Sequence, residues 1–305
     1  MDERHSSSPQ LRKTRFVLIS DTHNQTPKLP KGDVLIHAGD LTNQGSYSEL
    51  KKTVQWLEKT DFEAKIVIAG NHDTTLDEPF YHKNCASFKW PKPQDPQACR
   101  SLLTESTSIT YLENQAATMF LNSSSGPQTC FKVFGSPSTP NNRNWAFKYQ
   151  GHEEASKLWN TIPSDTDIVI THTPPKGHCD GDGKDGRFGC DVLLQALHRV
   201  RPMLAVCGHI HEARGVERLH WNLDSPDDEG LVEGVDIWKD PGMGNNKQSL
   251  RDVESVETRA ERRETCVINA AFMPLRTAGP KTFNKPIVVD VDLPVWGRDG
   301  DGNAQ

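Results

Sequence analysis

Nowhere does the chain run to the roughly 20 consecutive apolar residues that cross a bilayer. Its first stretch, Met1–Thr14, is polar and charged where a secretory leader carries an apolar segment. Both absences make a cytoplasmic location, without membrane attachment, the expectation. Aromatic residues are sparse at 7%, and no internal repeat is visible, which excludes solenoid and propeller arrays. An excess of positive charge is missing too. The formal net charge of −6 gives no general attraction to long nucleic acid or anionic lipid, so a polyanionic substrate must be drawn by local charge. The seven cysteines are odd in number and scattered, unlike a disulfide-stapled domain. Cys207 and Cys266 sit in apolar runs and read as buried thiols. Cys179 and Cys190 flank a Gly/Asp-rich loop and are the one pair close enough in sequence to consider as a bridge, although free thiols are the preferred reading.

What is present fits one sizeable core. A chain of 305 residues with 34% hydrophobic content is long enough for a single domain with insertions, and 20 prolines and 22 glycines imply many turns. Short β-branched runs recur, each ending at a polar residue: Arg15–Ser20, Asp33–Ala38, Lys65–Ala69, Asp167–Thr171 and Met203–Cys207. Further strands are expected near Ile109–Leu112, Cys130–Phe134, Thr265–Phe272 and Pro286–Asp292. Helices are expected over Ser46–Lys59, where Ser46 and Glu49 form a capping box, over Lys148–Asn160, and over Asp191–Val200 with Asp191 as cap. Phe80–Gln97 and Leu219–Glu264 read as insertions, the second with a solvated helix over Gln248–Glu264. The organisation expected is a disordered segment 1–14, one domain over 15–296 with the insertion at about 219–264, and a disordered tail 297–305.

The chemistry lies where the strands stop. Asp21-x-His23 follows the first run, Gly39-Asp40 the second, and Gly70-Asn71-His72-Asp73 the third. His172 ends the fourth and Gly208-His209-x-His211 the fifth. Residues two apart share a face on an extended segment, and carboxyl ends of strands form the ligand-binding rim of an open α/β sheet. Two carboxylates, four imidazoles and one amide oxygen suit Mn²⁺, Fe or Zn²⁺ better than Ca²⁺. Asp-x-His or a single strand-end histidine would be unremarkable alone. Five such elements in series are not.

That order resembles the calcineurin-like metallophosphoesterase superfamily over roughly Phe16–His211. Gly135-Ser-Pro-Ser-Thr-Pro140, Asn144-Trp-Ala-Phe147, Thr171-His-Thr-Pro-Pro175, Gly189-Cys190 and Arg201-Pro202 are similar to its metallophosphoesterase-domain-containing branch. The resemblance implies a four-layer α/β/β/α sandwich and two divalent metal ions, Mn favoured over Fe or Zn. It implies one ion on Asp21, His23, Asp40 and His211, and another on Asp40, Asn71, His172 and His209. Asp40 would bridge. Some members of the branch carry Gly where His209 stands, so His209 implies that both metals are kept. The activity implied is hydrolysis of a small phosphoester, foremost a diester and with cyclic nucleotides as one candidate, by attack of a metal-bridging hydroxide. His72 would protonate the leaving group and Asp73 would orient it. The other readings are a phosphomonoesterase or protein phosphatase, and a binding scaffold with Leu219–Glu264 as the segment that takes a protein partner.

Several residues are read as weaker candidates. Asn142, Arg143 and Arg214 are placed as substrate contacts at a discount, and Trp145 and Phe147 as packing residues. His178 with Cys179 and Cys190 fits no zinc finger spacing. Asp180, Asp182 and Asp185 lack the acidic twelfth position of a Ca²⁺ loop and read as a flexible rim.

Overall fold

The computed structural model describes residues 10–88, 90–140, 144–181, 184, 186–224, 230–238, 249–253, 262–274 and 283–296. The strands begin with β1 (Leu11–Ile19), β2 (Val34–Ala38), β3 (Ala64–Ile68), β4 (Thr110–Tyr111), β5 (Gln115–Phe120), β6 (Cys130–Ser136), β7 (Thr139–Pro140) and β8 (Lys148–Tyr149). They continue with β9 (Ile168–Thr171), β10 (Leu204–Cys207), β11 (Gly215–Trp221), β12 (Val232–Trp238), β13 (Ser249–Val253), β14 (Glu264–Asn269) and β15 (Ile287–Pro294). The helices are α1 (Tyr47–Glu58), α2 (Glu78–Asn84), α3 (Pro96–Thr104), α4 (Gly151–Trp159) and α5 (Asp191–Val200).

The strands pair into two main sheets, ordered β13-β15-β1-β2-β3-β4 and β12-β11-β14-β10-β9-β6-β5. Three apolar clusters then define four layers. Between the sheets lie Phe16, Leu18, Ile36 and Ile66 from one and Val133, Ile170, Val206 and Ile268 from the other. Outside the first sheet, Val17, Leu35 and Val67 pack on Leu50, Val54 and Leu57 of α1 and Cys99 and Leu103 of α3. Outside the second, Val169, Ala205 and Val267 pack on Trp159 of α4 and Leu193 and Leu197 of α5. The α/β/β/α sandwich follows from strands apolar on both faces, which must be covered on both. β1, β2 and β3 run parallel, as do β9 and β10, so their carboxyl ends meet at one end of the sandwich.

Some boundaries move. β1 begins at Leu11 rather than at residue 15, because antiparallel pairing with β15 from Leu11↔Pro294 onward satisfies a segment too charged to read as a strand. The Phe80–Gln97 stretch holds α2's last turns and the start of α3, whose Pro96 sits in its first turn behind the Asp95 cap. Lys148–Asn160 divides into β8 and α4. Cys190, not Asp191, caps α5: its Sγ accepts the Leu193 N–H. Within Leu219–Glu264, β12 pairs with β11 and extends the second sheet antiparallel, and Ser249–Val253, expected to lie in a helix over Gln248–Glu264, is a strand beside β15; residues 254–261 of that expected helix lie outside the described residues. Cys179 and Cys190 are both free and buried. Residues 1–9 and 297–305, expected to be disordered, lie outside the described residues.

Candidate metal centre

The five motifs do converge at the carboxyl ends of β1, β2, β3, β9 and β10, but by a different local geometry from the one extended strands would give. Asp21, His23, Asp40 and His209 all adopt left-handed backbone, with φ of 53°, 43°, 54° and 68°. Such conformations cost non-glycine residues of order 1–3 kcal/mol each and cluster at functional sites. Asp21-x-His23 therefore meets through a sharp turn, held by Asp21 N–H to the Gly39 carbonyl (2.9 Å) and His23 N–H to the Asp40 carbonyl (3.1 Å). Gly39 turns the chain at φ +98°, whereas Gly70 has no positive φ; a Cβ there would strike the Asp40 backbone nitrogen and carboxylate.

Asp21 and Asp40 are buried, at 0% and 2% exposure. Among the described residues their ion-pair partners are imidazoles alone. Asp21 Oδ1 lies 3.2 Å from His211 Nε2. Asp40 turns Oδ1 to His172 Nε2 at 3.3 Å and Oδ2 to His23 Nε2 at 3.6 Å, and Asn71 Oδ1 is 3.1 Å from His172 Nε2. Donor atoms within 4.8 Å of one another form two groups, Asp21, His23, His211 and Asp21, Asp40, His172. Ligands bonded at about 2.0–2.2 Å to one cation stand roughly 3 Å apart when adjacent, so the spacings fit a divalent ion. His172 Nδ1–H donates to the Ala38 carbonyl (2.9 Å) and His23 Nδ1–H to the Thr42 carbonyl (3.0 Å). Each leaves Nε2 as the nitrogen that would ligate a metal, the usual support for a metal-binding imidazole. His209 joins neither group; its ring lies 5.0 Å from that of His172, and its N–H donates to the Asp21 carboxylate.

Electrostatics express the same need for positive charge. Burial alone would raise the Asp21 carboxyl, but the hydrogen bond and charge of His211 and the charge of His172 outweigh it and hold it below the usual range. Asp40 is likewise held well down against its burial, chiefly by His172. Burial opposes charge on His172, yet Asp40 overcomes it and pushes the pKa up to about 9. His209 goes the other way, to about 4, through burial and the neighbouring His172 charge.

His72 stands beside this cluster, its ring centroid 4.7 Å from that of His23 in an edge-on arrangement. Its Nδ1–H donates to the Asn43 carbonyl at 2.8 Å. Asp73 does not orient it. The fully buried Asp73 carboxylate accepts from Leu41 N–H (3.1 Å), Thr42 N–H (2.9 Å), the Thr42 hydroxyl (2.7 Å) and Gly70 N–H (2.8 Å). It ties the Asp40 loop to the Asn71 loop. Asp73→Ala leaves those four donors unpaired at about 1–3 kcal/mol each, so a loss of at least about 4 kcal/mol is expected in urea unfolding of the metal-free protein. A change below about 1 kcal/mol would contradict the bracing role.

The weaker candidates fall out as follows. Arg214 is half-buried and its Nη2–H donates to the Lys285 carbonyl (2.7 Å), which makes it a brace of the rim. His178 pairs with Glu217 at 2.9 Å. Asp180 is buried and accepts from Gly177 N–H, Gly189 N–H and Arg187, which fixes this one position of the stretch read as a flexible rim. Asn142, Arg143, Asp182 and Asp185 lie outside the described residues. Two residues do more than the sequence reading gave them: Trp145, read as a packing residue, and Asn269, which was not singled out. Trp145 stacks on His72 with ring centroids 4.0 Å apart. Asn269 donates through Nδ2 to the Gly208 and Ile210 carbonyls, holding the His209 loop; it ends an apolar strand like the ligands, and that signal would have found it.

Comparison with known proteins adds a lineage. Residues 14–213 match the family model described as calcineurin-like phosphoesterase. A probable rhamnogalacturonate lyase C of Emericella nidulans is 42% identical over 226 residues, covering 73% of this chain and 20% of that protein. Metallophosphoesterase domain-containing protein 1 of Homo sapiens is 40% identical over 217 residues, covering 67% of this chain and 62% of its own length. A UPF0046 protein of Caenorhabditis elegans is 36% identical, covering 66% of this chain and 65% of that protein. The chain thus spans less than two thirds of each of these relatives.

Proposed function

The chain belongs to the calcineurin-like phosphoesterase family, and from that premise we propose that it is a dinuclear metal-dependent hydrolase of small phosphodiesters. The family supports metal-dependent phosphoester hydrolysis; the diester preference is our narrower reading. One observation carries it above all: among the described residues the two buried carboxylates have imidazoles as their ion-pair partners, with the Asn71 amide oxygen beside His172, at spacings that divalent cations would satisfy. Asp21, His23, Asp40 and His211 would hold one ion, and Asp40, Asn71, His172 and His209 the other. Asp40 suits the shared position because its two oxygens face His172 and His23 separately. The mixed nitrogen and oxygen donor set suits Mn²⁺, Fe or Zn²⁺, and of these we take Mn²⁺ first.

Two bound cations would supply the Lewis acidity that acidifies water and neutralises phosphoryl charge. The protein's own part is positioning and proton transfer. His72, protonated, donates Nδ1–H to the Asn43 carbonyl and hands the Nε2 proton to the departing oxygen. Its backbone N–H donates to Asp40 Oδ1 (2.8 Å), which fixes the acid relative to the ligands.

Loading must displace protons. Metal-free His172, with a pKa of about 9 against an ordinary 6.5, is charged at neutral pH, and a cation needs it neutral. Apparent affinity is therefore expected to rise between pH 6.5 and 9, by roughly tenfold per unit for each proton released. Titration calorimetry in buffers of different ionisation enthalpy reads that release directly. An affinity flat across this range would contradict the coupling.

The diester reading is tested by rates on bis(p-nitrophenyl) phosphate and p-nitrophenyl phosphate with Mn²⁺. Faster turnover of the diester supports it. A faster monoester makes the protein a phosphomonoesterase, and no turnover of either by folded, loaded protein favours a binding scaffold.

A further inference from the structure

We propose that Trp145 is the positioning residue for the leaving-group acid: the indole face fixes the plane of the His72 imidazole. The inference rests on the hydrolase reading above. Among the described residues His72 has one side-chain hydrogen bond, Nδ1–H to the Asn43 carbonyl at 2.8 Å. A single hydrogen bond fixes one ring atom but leaves the ring free to swing about that contact, and Nε2 swings furthest. The indole removes this freedom. It lies over the imidazole with centroids 4.0 Å apart and planes 28° apart, while His23 meets the imidazole edge-on, with centroids 4.7 Å and planes 84° apart. An imidazolium over an indole face is also the favourable cation–π arrangement.

Trp145 is itself held, by contacts from the side of the molecule that carries His72. The next residue, Ala146, donates its N–H to the Asn71 carbonyl (3.3 Å), and Asn71 immediately precedes His72. Phe147, at φ +55°, donates its N–H to Asp77 Oδ2 at 2.7 Å, and the same carboxylate caps α2 through Phe80 N–H. Asn144 donates to the Asn84 side chain at 3.1 Å, and Phe88 flanks the indole at 6.5 Å. A packing residue would need no such alignment with one catalytic ring. Four ties register the loop to the His72 segment, and the aligned stack is their result.

The test uses full-length, Mn²⁺-loaded protein as wild type, Trp145→Ala, Trp145→Phe and His72→Ala. Two esters are compared: bis(p-nitrophenyl) phosphate, whose leaving group needs little protonation, and a 3′,5′-cyclic nucleotide, whose alkoxide needs an acid. Misplacing a catalytic group by about 1 Å can cost about 10²-fold, so Trp145→Ala is expected to lower kcat on the alkoxide ester by about 10–100-fold. KM and the nitrophenyl ester should change less than about threefold, Trp145→Phe should restore most of the rate, and adding His72→Ala to Trp145→Ala should cost nothing beyond His72→Ala alone. In the metal-free protein, where no paramagnetic Mn²⁺ broadens the signal, the ring-current displacement of the His72 Hε1 resonance should vanish in Trp145→Ala and persist in Trp145→Phe. Trp145→Leu stands in if the alanine variant does not fold. Equal losses on both esters, or a change in KM alone, would overturn the proposal. If wild-type protein turns over neither ester, the hydrolase reading has failed instead; the resonance then decides, and an unmoved His72 signal in Trp145→Ala overturns the positioning role.

Discussion

Gly208→Ala is expected to strip the protein of metal and reduce phosphoester turnover by more than about 10²-fold. The reason is contact rather than conformation, for Gly208 has no left-handed φ. Its Cα lies against the end of β1, and an added Cβ would land on the Ser20 hydroxyl and on Asp21 Oδ2. Neither can yield cheaply. Ser20 Oγ donates to the Ala38 carbonyl at 2.9 Å, and the Asp21 carboxylate accepts the His209 N–H at 3.1 Å while pairing with His211. Displacing that carboxylate disturbs candidate ligands of both ions at once. Gly215 is the control seven residues on: nothing lies nearer to its added Cβ than the Ala213 carbonyl at 3.8 Å. Metal analysis of the two purified variants checks the contrast. A fully loaded Gly208→Ala protein would show that the site tolerates what the geometry forbids.

His72→Ala should leave metal content intact and cost about 10²–10⁴-fold in kcat on esters with alkoxide leaving groups. On nitrophenyl esters the loss should be small, because nitrophenolate leaves without a proton. The separation is possible because His72 is not among the donors grouped around the carboxylates, although its backbone N–H reaches Asp40. Equal losses on both kinds of ester would remove the acid role and leave His72 as a support for Asp40.

These two expectations differ in how far the sequence could carry them. The Gly-His-x-His and Asp-x-His strings are local, and strand ends are local, so the candidate ligands are legible wherever an apolar run meets a polar residue. The layers are legible for the same reason: strands apolar throughout need cover on both faces. The left-handed turns at Asp21, His23 and Asp40 are not, because Asp and His, though enriched in that backbone among non-glycine residues, still adopt it at a small minority of positions. Asp73 beside His72 invites the reading of an orienting carboxylate, but its donors come from residues 41, 42 and 70. Trp145 reaches His72 only through the folded loop, and no periodicity reports a contact between residues 73 positions apart. β12 hides inside a charged stretch because it is an edge strand, with Val235 and Ile237 left exposed on it, so it lacks the apolar signature of a buried one.

The central claim is a pair of catalytic divalent ions, and the most direct test is a metal count joined to turnover. Protein reconstituted with Mn²⁺ and freed of excess is analysed for bound metal and assayed on bis(p-nitrophenyl) phosphate, before and after chelation, beside Asp40→Asn. Two ions per chain are expected, with turnover that chelation abolishes and readdition restores, and with both ions and activity lost in Asp40→Asn. Turnover that survives chelation, or an Asp40→Asn variant that keeps two ions and its rate, would contradict it.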